Sequence, residues 1–300
     1  MAAKLAPDEP GTRGVRRIAR RRIKSALKTL RPRKADDGAV HEARKDLKRA
    51  RATLRLLRDA LGKSTFKREN AAIRDAARPL SEVRDGRVLL DALSSLVKYY
   101  GPTARALPLE GFKRLLNRRN ARLHQQILGR PGPLRAVRTQ LRKASARSKD
   151  WRVGRHGWSV VGAGMRRTYS QARQACKRAR ATPTDEHLHE LRKQTKYFWH
   201  QLQIFEALWP GPLGKLADEA HKLADLLGDD HDLAVLRERV STGRQAFPTE
   251  ASHTALLALL ERCRAGLQKK SLVLAQRLYD EKPAAFTSRL GKYWHDWHRA

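Results

Sequence analysis

Cysteine is scarce in this sequence of 300 residues, which contains only Cys176 and Cys263. Neither stands in the Cys-x-x-Cys or Cys/His spacing of a structural zinc site, which needs four ligands. Two isolated cysteines also provide no disulfide framework, which is typical of proteins from a reducing compartment. We therefore expect no metal ion, no cofactor and a cytoplasmic location.

Long hydrophobic runs are absent as well. No apolar stretch approaches the roughly 20 residues that a membrane-spanning helix requires. The first residues contain no apolar signal core, and Asp8 and Glu9 disfavour an organellar transit peptide. The sequence therefore predicts neither membrane insertion nor secretion, and it predicts a flexible segment over residues 1–11.

Acidic residues are few, because 30 Asp and Glu stand against 65 Lys and Arg, a formal net charge of +35. A hydrophobic fraction of 40% is too high for a disordered chain, so a folded body must carry this charge. Self-repulsion then costs the protein stability. The imbalance indicates a polyanionic partner, which can be nucleic acid, an acidic membrane surface or a phosphate polymer.

Patterns typical of β-strands are missing. No segment combines strict two-residue alternation with many β-branched residues, whereas the strong helix formers Ala, Leu, Arg, Lys, Glu and Gln dominate. Proline and glycine cluster in short breaks, at Gly101-Pro102, residues 129–133, residues 210–212, Pro248 and Pro283. We predict an all-α fold.

Two predicted helices, Val40–Leu61 and Leu188–Trp209, share an unusual polar pattern. Both carry apolar residues at alternating spacings of three and four, as in helices that pack along one seam. They also share polar residues that core packing does not explain: His41/His189, Glu42/Glu190, Arg44/Arg192, Lys45/Lys193 and Lys48/Lys196. At nearly the same separation, residues 77–89 resemble residues 224–236. The pattern indicates an internal duplication.

The duplication predicts the architecture of the chain. We expect a single domain over residues 12–294, composed of one repeat of about 12–147 and a second of about 158–294. Each repeat has room for four to six helices, which gives two antiparallel helical bundles related by approximate twofold symmetry.

Basic side chains follow one flank of the first of these helices. At 100° per residue, Arg44, Lys48, Arg51 and Arg55 fall within an arc of about 60°, beside the apolar seam, and His41 extends the arc. The second helix repeats this ladder with His189, Arg192 and Lys196, but Trp199 and Gln203 replace its last two members. An arginine fork binds two phosphate oxygens at once, so such a ladder fits a linear anion with repeated phosphates.

Three further segments carry rows of basic residues with few interleaved acids. Like charges at this spacing repel each other, so pairing within one helix does not explain them. We include among the candidate anion contacts Arg20, Arg21 and Lys24 of the first predicted helix, Arg118 and Arg122 of the segment 112–128, and Lys269 and Lys270 of the segment 256–278.

The duplicated segments resemble a known family. The two helices read VHEARKDLKRAR (residues 40–51) and LHELRKQTK (residues 188–196), and these resemble the paired signature helices of the CHAD domain, the conserved histidine α-helical domain. The sequence LLGDDHDLAVL (residues 226–236) is similar to a further element of the family, and residues 81–89 are its first-half copy. The closing stretch at residues 282–286 is also similar.

The resemblance implies two helical bundles with a basic pore or groove between them that binds inorganic polyphosphate without catalysis. Carried over by position, the implied contacts are His41, Arg44, Lys45, Lys48, Arg51, His189, Arg192, Lys193 and Lys196. Family members are often fused to a CYTH triphosphatase-like domain, but no Glu-x-Glu-x-Lys pattern occurs here. The resemblance thus implies a stand-alone binding protein that is not an enzyme, with association to polyphosphate granules in the cytoplasm.

Nucleic acid is the main alternative partner. A phosphate backbone would bind the same charges with pronounced salt dependence. Single-strand binding usually stacks bases on aromatic side chains, yet aromatics make up 6% of the chain and the first basic helix has none. We expect at most a weaker, non-specific binding of nucleic acid.

A metal-dependent phosphohydrolase is a further alternative, since His231-Asp232 resembles the dipeptide of HD-type enzymes. Such a site needs additional ligands, and the first-half equivalents of His221 and His231 are Arg74 and Arg84. We interpret Asp85 and Asp232 as structural, as helix N-caps or buried partners of an arginine.

The duplicated motif histidines, His41 and His189, can either pack against neighbouring helices or line the anion site. In the anion site, their titration near neutral pH would strengthen anion binding in mild acid.

Overall fold

The computed structural model describes residues 4–31, 36–153 and 157–299. Within these ranges the chain forms helices and loops without a β-strand, which confirms the predicted all-α fold. The α-helices are α1 (Gly11–Thr29), α2 (Asp37–Leu56), α3 (Arg58–Leu61), α4 (Lys63–Tyr100), α5 (Pro102–Arg105), α6 (Glu110–Ile127), α7 (Pro131–Arg147), α8 (Trp158–Ala181), α9 (Asp185–Phe205), α10 (Pro210–Thr242), α11 (Glu250–Leu278) and α12 (Pro283–Arg299). Short 3₁₀ turns span Glu206–Leu208 and Arg244–Ala246.

The starts of the two basic helices, α2 and α9, follow from local sequence. The Asp36 side chain accepts a hydrogen bond from the Ala39 backbone nitrogen at 2.7 Å, which caps α2. Thr184 caps α9 in the same way through the His187 backbone nitrogen, at 3.2 Å. Prolines occupy the first turns of α5, α7 and α10, where the missing N–H costs nothing. Pro283 likewise begins α12, so four of the five predicted breaks are helix starts, and Pro248 lies two residues before α11.

Both predicted signature helices end earlier than their apolar spacing predicts. α2 stops at Leu56, and the chain resumes at Arg58 as a single short turn. α9 stops at Phe205 and continues as a 3₁₀ turn before Trp209. Leu56 and Leu57 are fully buried, so apolar contacts hold both residues although the regular helix has ended. Hydrophobic spacing records burial and cannot separate a helix from a tight turn that continues it.

The buried apolar side chains form two clusters. The first, larger cluster joins α1, α2, α7, α8, α9 and α12 to the N-terminal halves of α4 and α10 and the end of α11. The second joins the C-terminal halves of α4 and α10 to α6 and the first half of α11. Each cluster therefore takes residues from both predicted repeats, and α4 and α10 cross from one cluster to the other.

Each half of the chain contains five long helices. They are α1, α2, α4, α6 and α7 in the first half and α8, α9, α10, α11 and α12 in the second. Equal numbers of long helices are consistent with the predicted repeats, while the duplication itself stays a prediction from the sequence.

Contacts between the halves bring α2 beside α8 and α9. Gln201 of α9 donates a buried hydrogen bond to the Ala52 carbonyl oxygen of α2 at 2.9 Å. A Cβ atom at Gly164 of α8 would lie 2.6 Å from the backbone of Leu56, so only glycine allows α8 this close to α2. The two basic helices are consequently held side by side.

The N-terminal segment, which was predicted to be flexible, packs on the protein from residue 4 onwards. Leu5 is buried in the first cluster, and Arg17 donates to the Lys4 carbonyl oxygen at 3.0 Å. Arg17 also pairs with Glu9. One apolar side chain within a polar segment gave no periodic signal, so sequence patterns did not reveal this anchor; residues 1–3 lie outside the described residues.

Candidate basic groove

Residues from four helices enclose a groove of about 440 Å³. The groove lies where α4 and α10 pass from the first apolar cluster to the second. Its lining is His41, Arg44, Lys45 and Lys48 of α2; Arg84, Val88 and Leu89 of α4; Arg192 and Lys196 of α9; and Asp225, Gly228, Asp229, His231, Asp232 and Val235 of α10. We call it the basic groove, because Arg and Lys outnumber Asp in this lining by six to three.

The basic groove unites the two predicted ladders. Arg44 and Lys48 of α2 share its wall with Arg192 and Lys196 of α9. Lys45, which also lines the groove, forms an ion pair with Glu42 at 2.9 Å. Charges from two distant parts of the sequence therefore converge on one small volume, where each cation raises the electrostatic cost of its neighbours.

Lys196 shows this cost most clearly. Burial, together with the nearby Arg192 guanidinium, lowers the pKa of Lys196 to about 8, although Asp225 and Asp232 oppose the shift. A lysine that loses its proton this easily is held in an environment short of negative charge. A polyanion bound beside Lys196 would supply negative charge and raise its pKa.

Three histidines that line the groove or lie beside it have lowered pKa values. Burial lowers the pKa of His231 to about 4, with Arg192 and His189 adding repulsion. Burial also lowers the pKa of His41 and His189, each helped by neighbouring Arg and Lys side chains. A bound anion would stabilise the protonated imidazoles and raise these pKa values, so stronger binding in mild acid stays a prediction.

Three carboxylates of α10 oppose the cations across the groove. Burial raises the pKa of Asp229, and the like charges of Asp232 and Asp225 add to the shift. The acidic row was not among the residues predicted from the sequence, although the motif at residues 226–236 contains two of its members. These carboxylates make the α10 side of the groove less favourable to an anion than the sides formed by α2 and α9.

Arg51 and Arg55, which were predicted to extend the first ladder, do not line the groove. The Arg55 guanidinium lies 3.9 Å from the ring centroid of Tyr197 on α9, and that of Arg51 lies 6.0 Å from it. Arg51 also donates to the Asn70 side chain at 3.1 Å. These arginines stack between helices because α9 covers that end of α2, which the sequence of α2 alone does not show.

Two further predicted contacts on α9 are absent from the groove lining. His189, a member of the second ladder, contacts His231, with 3.4 Å between their Nδ1 atoms and 4.6 Å between the ring centroids. Lys193, a contact implied by the resemblance, is exposed and forms an ion pair with Glu190 of the same helix. Of the second ladder, Arg192 and Lys196 line the groove and His189 does not.

The remaining predicted contacts lie on other surfaces. Arg20, Arg21 and Lys24 belong to α1, Arg118 and Arg122 are exposed on α6, and Lys269 is exposed on α11; the basic groove includes none of them. Lys270 lines a neighbouring cavity. On the same helix, α1, Arg22 forms an ion pair with Asp46 of α2 at 3.1 Å.

Arg84 of α4 joins the groove although it was not among the predicted contacts. It occupies the position that the repeat aligns with His231, and both residues line the groove. The repeated segment at residues 81–89 contains this arginine at the position of the histidine in the second copy. Arg84 also pairs with Asp91 at 3.3 Å.

The described residues around His231 do not form the metal site that an HD-type enzyme would require. Among residues 4–31, 36–153 and 157–299, the His, Cys, Asp and Glu side chains form no group of three or more suited to a metal ion. Asp232 lies in the middle of α10, so its interpretation as an N-cap is wrong. The side chain of Asp85 lies outside the described residues.

None of the described helices is both long enough and apolar enough to cross a membrane.

Comparisons with known proteins agree with the helical architecture. The chain is similar in structure to PptA from Streptomyces chartreusis, with a TM-score of 0.61 and 16% sequence identity, over 91% of this chain and 100% of that chain. It is also similar to the CHAD domain from the plant Ricinus communis, with a TM-score of 0.55 and 14% identity, over 97% of this chain and 94% of that chain. A search of curated proteins found no match.

The family assignment rests on sequence as well as on shape. The model of the CHAD domain family matches residues 17–241, which is most of the chain and includes α2, α4, α9 and α10, the four helices that line the basic groove. The chain belongs to the CHAD domain family.

Proposed function

We propose that this protein binds inorganic polyphosphate in the basic groove without chemically altering it. The observation that carries the proposal is the convergence of Arg44 and Lys48 of α2 with Arg192 and Lys196 of α9 in one groove. A polyphosphate chain carries about one negative charge on each phosphate unit, and one guanidinium group can donate hydrogen bonds to two phosphate oxygens at once. The residues that we assign as contacts, all of which line the groove, are Arg44, Lys45, Lys48, Arg192, Lys196 and His41.

The shape of the groove supports a bare phosphate chain over nucleic acid. A volume of about 440 Å³ suits a thin polymer segment and leaves no room for a duplex. Its lining contains no Phe, Tyr or Trp on which an unpaired base could stack. The carboxylates of α10 would also repel a second phosphate strand. Nucleic acid is then left with the outer basic surfaces, where binding is weaker and independent of sequence.

We also propose that the protein is located in the cytoplasm and associates with polyphosphate granules. A protein that carries its anion site in a groove, with further basic residues outside it, can hold one segment of a polymer and still touch others. That arrangement suits the binding of long polymers in a granule better than the binding of a small phosphate compound in dilute solution.

The proposal is tested by measuring polyphosphate affinity as a function of pH. With the pKa of Lys196 at about 8 in the free protein, binding at pH 9 must first return a proton to this lysine. Each pH unit above that pKa reduces the charged fraction tenfold, so affinity is expected to fall about tenfold between pH 7 and pH 9. Isothermal titration with long-chain polyphosphate measures this directly.

Two variants sharpen the pH test. Lys196→Arg keeps its charge at pH 9, so its affinity is expected to change little over the same range. Lys193→Arg is the matched control on the exposed side of α9, and it should retain the dependence seen in the wild-type protein. An absence of saturable binding at pH 7 would overturn the proposed function, and a wild-type affinity independent of pH would remove Lys196 from the site.

A further inference from the structure

A second basic depression lies between α4, α5 and α6. It measures about 510 Å³, and we call it the α4–α6 trough. Its charged lining residues are Arg87, Asp91 and Lys98 of α4, Arg105 of α5 and Lys113 of α6. Four cations against one carboxylate give this trough, like the basic groove, a positive potential that attracts anions.

The apolar part of the α4–α6 trough belongs to the core of the protein. Leu93 is buried in the second apolar cluster, and Leu90 and Val97 are partly buried against the same cluster. Packing within the protein therefore accounts for these side chains. The groups that remain for a ligand are the charged side chains around them.

Two of the four cations have no acidic partner in the part of the chain that the structure describes. They are Lys98 and Arg105, both of which are exposed to solvent. By contrast, Lys113 pairs with Glu110 of its own helix at 2.7 Å. An anion bound in the trough would relieve the mutual repulsion of the cations that three helices bring together there.

Arg84 and Arg87 connect the trough to the basic groove. Arg84 lines the groove and Arg87 lines the trough, about one helical turn further along α4. The Asp91 carboxylate accepts a hydrogen bond from Arg84 at 3.3 Å and another from Arg87 at 3.0 Å. Two guanidinium groups against one carboxylate leave this junction positive. Since a guanidinium has several N–H donors, one bond to Asp91 leaves others for phosphate oxygens.

The route over this junction leads away from the carboxylates of α10. At 100° per residue, Arg87 lies about 60° around α4 from Arg84. Arg87 shares the trough with Lys113 and Asn117 of α6, and no residue of α10 belongs to the trough lining. The Arg87 side chain is 62% exposed, so a phosphate chain can cross α4 at this point from the solvent side.

We propose that the α4–α6 trough binds a second segment of a polyphosphate chain whose first segment occupies the basic groove. This inference rests on the proposed function and adds to it a dependence on chain length. Along α4, Arg84 and Lys98 are about 21 Å apart at 1.5 Å per residue. A long polymer can reach both sites, whereas three linked phosphates are too short. The long polymer gains affinity, because binding of its first segment raises the local concentration of the second.

The test compares long-chain polyphosphate with inorganic tripolyphosphate by isothermal titration, at one salt concentration and with a metal chelator present. Lys98→Ala with Arg105→Ala, the trough variant, removes two exposed cations. We expect it to bind long-chain polyphosphate about tenfold more weakly than the wild-type protein, through the loss of two exposed charge contacts. Its affinity for tripolyphosphate, which is held in the groove, is expected to change less than about threefold.

Arg118→Ala with Arg122→Ala is the matched control, because it removes the same charge from exposed positions of α6 that do not line the trough. It is expected to change both affinities less than about threefold. The inference is overturned if the trough variant weakens long-chain binding no more than this control does, or if it weakens tripolyphosphate binding to the same extent. Failure of the proposed function is seen separately, because Arg44→Ala with Lys48→Ala in the groove would then leave both affinities unchanged.

Discussion

Replacing Arg44 and Lys48 together by alanine is expected to lower the affinity for long-chain polyphosphate about 100-fold or more. Both side chains line the basic groove from one face of α2, one helical turn apart. A hydrogen bond to a charged group contributes about 1.5–3 kcal/mol, and two such contacts give a loss of this size. The slope of log affinity against log salt should also decrease by about 1 to 2, because fewer counterions are released.

The matched control removes two arginines at the same spacing from another helix. Arg118 and Arg122 were candidate contacts from the sequence, yet they are exposed on α6 and absent from the groove lining. Arg118→Ala with Arg122→Ala is expected to weaken binding by less than about threefold, through general attraction alone. Equal losses in the two double variants would show that total charge, and not the groove, determines binding. Circular dichroism should show unchanged helicity in both.

Removal of Arg264 is expected to destabilise the protein by about 3–5 kcal/mol, as for other broken buried ion pairs. Arg264 is 3% exposed, and its Nε donates to the Asp230 carboxylate at 3.1 Å. It also pairs with Asp185 in the first turn of α9, while Gln268 donates to Asp230 at 3.0 Å. The network ties α9 to α10 and α11, so Arg264→Leu leaves the buried Asp230 charge with the Gln268 contact alone.

Arg237 provides the control for this prediction. It pairs with the same Asp185 at 2.9 Å and with Glu261 at 2.8 Å, but all three side chains are well exposed to solvent. Exposed pairs contribute at most about 1 kcal/mol, so Arg237→Leu should change stability little. Urea denaturation of both variants measures the difference. Similar losses in the two would contradict the assignment of Arg264 as a buried, structure-determining charge.

The all-α fold and the meeting of two basic helices could be predicted from the sequence. Apolar periodicity and the proline breaks predicted the helices, because both reflect local backbone chemistry. The polar identities between the two signature helices predicted the ladders, since packing alone does not require His41 to match His189 or Arg44 to match Arg192. Arg44, Lys48, Arg192 and Lys196 line one groove, as that pattern indicates.

The rest of the site depended on tertiary contacts that no pattern along one helix contains. Arg55 stacks on Tyr197 because α9 covers that end of α2. Asp225 and Asp229 enter the groove because α10 crosses between the two apolar clusters at this point. A helical wheel places a residue on a flank, but the neighbouring helix decides whether that flank is a cavity wall, a stacking contact or open surface.

Competition between phosphate polymers tests the central claim most directly. Labelled long-chain polyphosphate is bound to the protein, and unlabelled polyphosphate or duplex DNA is added at equal phosphate concentration across a salt series. We expect polyphosphate to displace the label at every salt concentration and DNA to displace little of it, because the groove admits a bare phosphate chain and excludes a duplex. Displacement by DNA as effective as that by polyphosphate would contradict a selective polyphosphate groove.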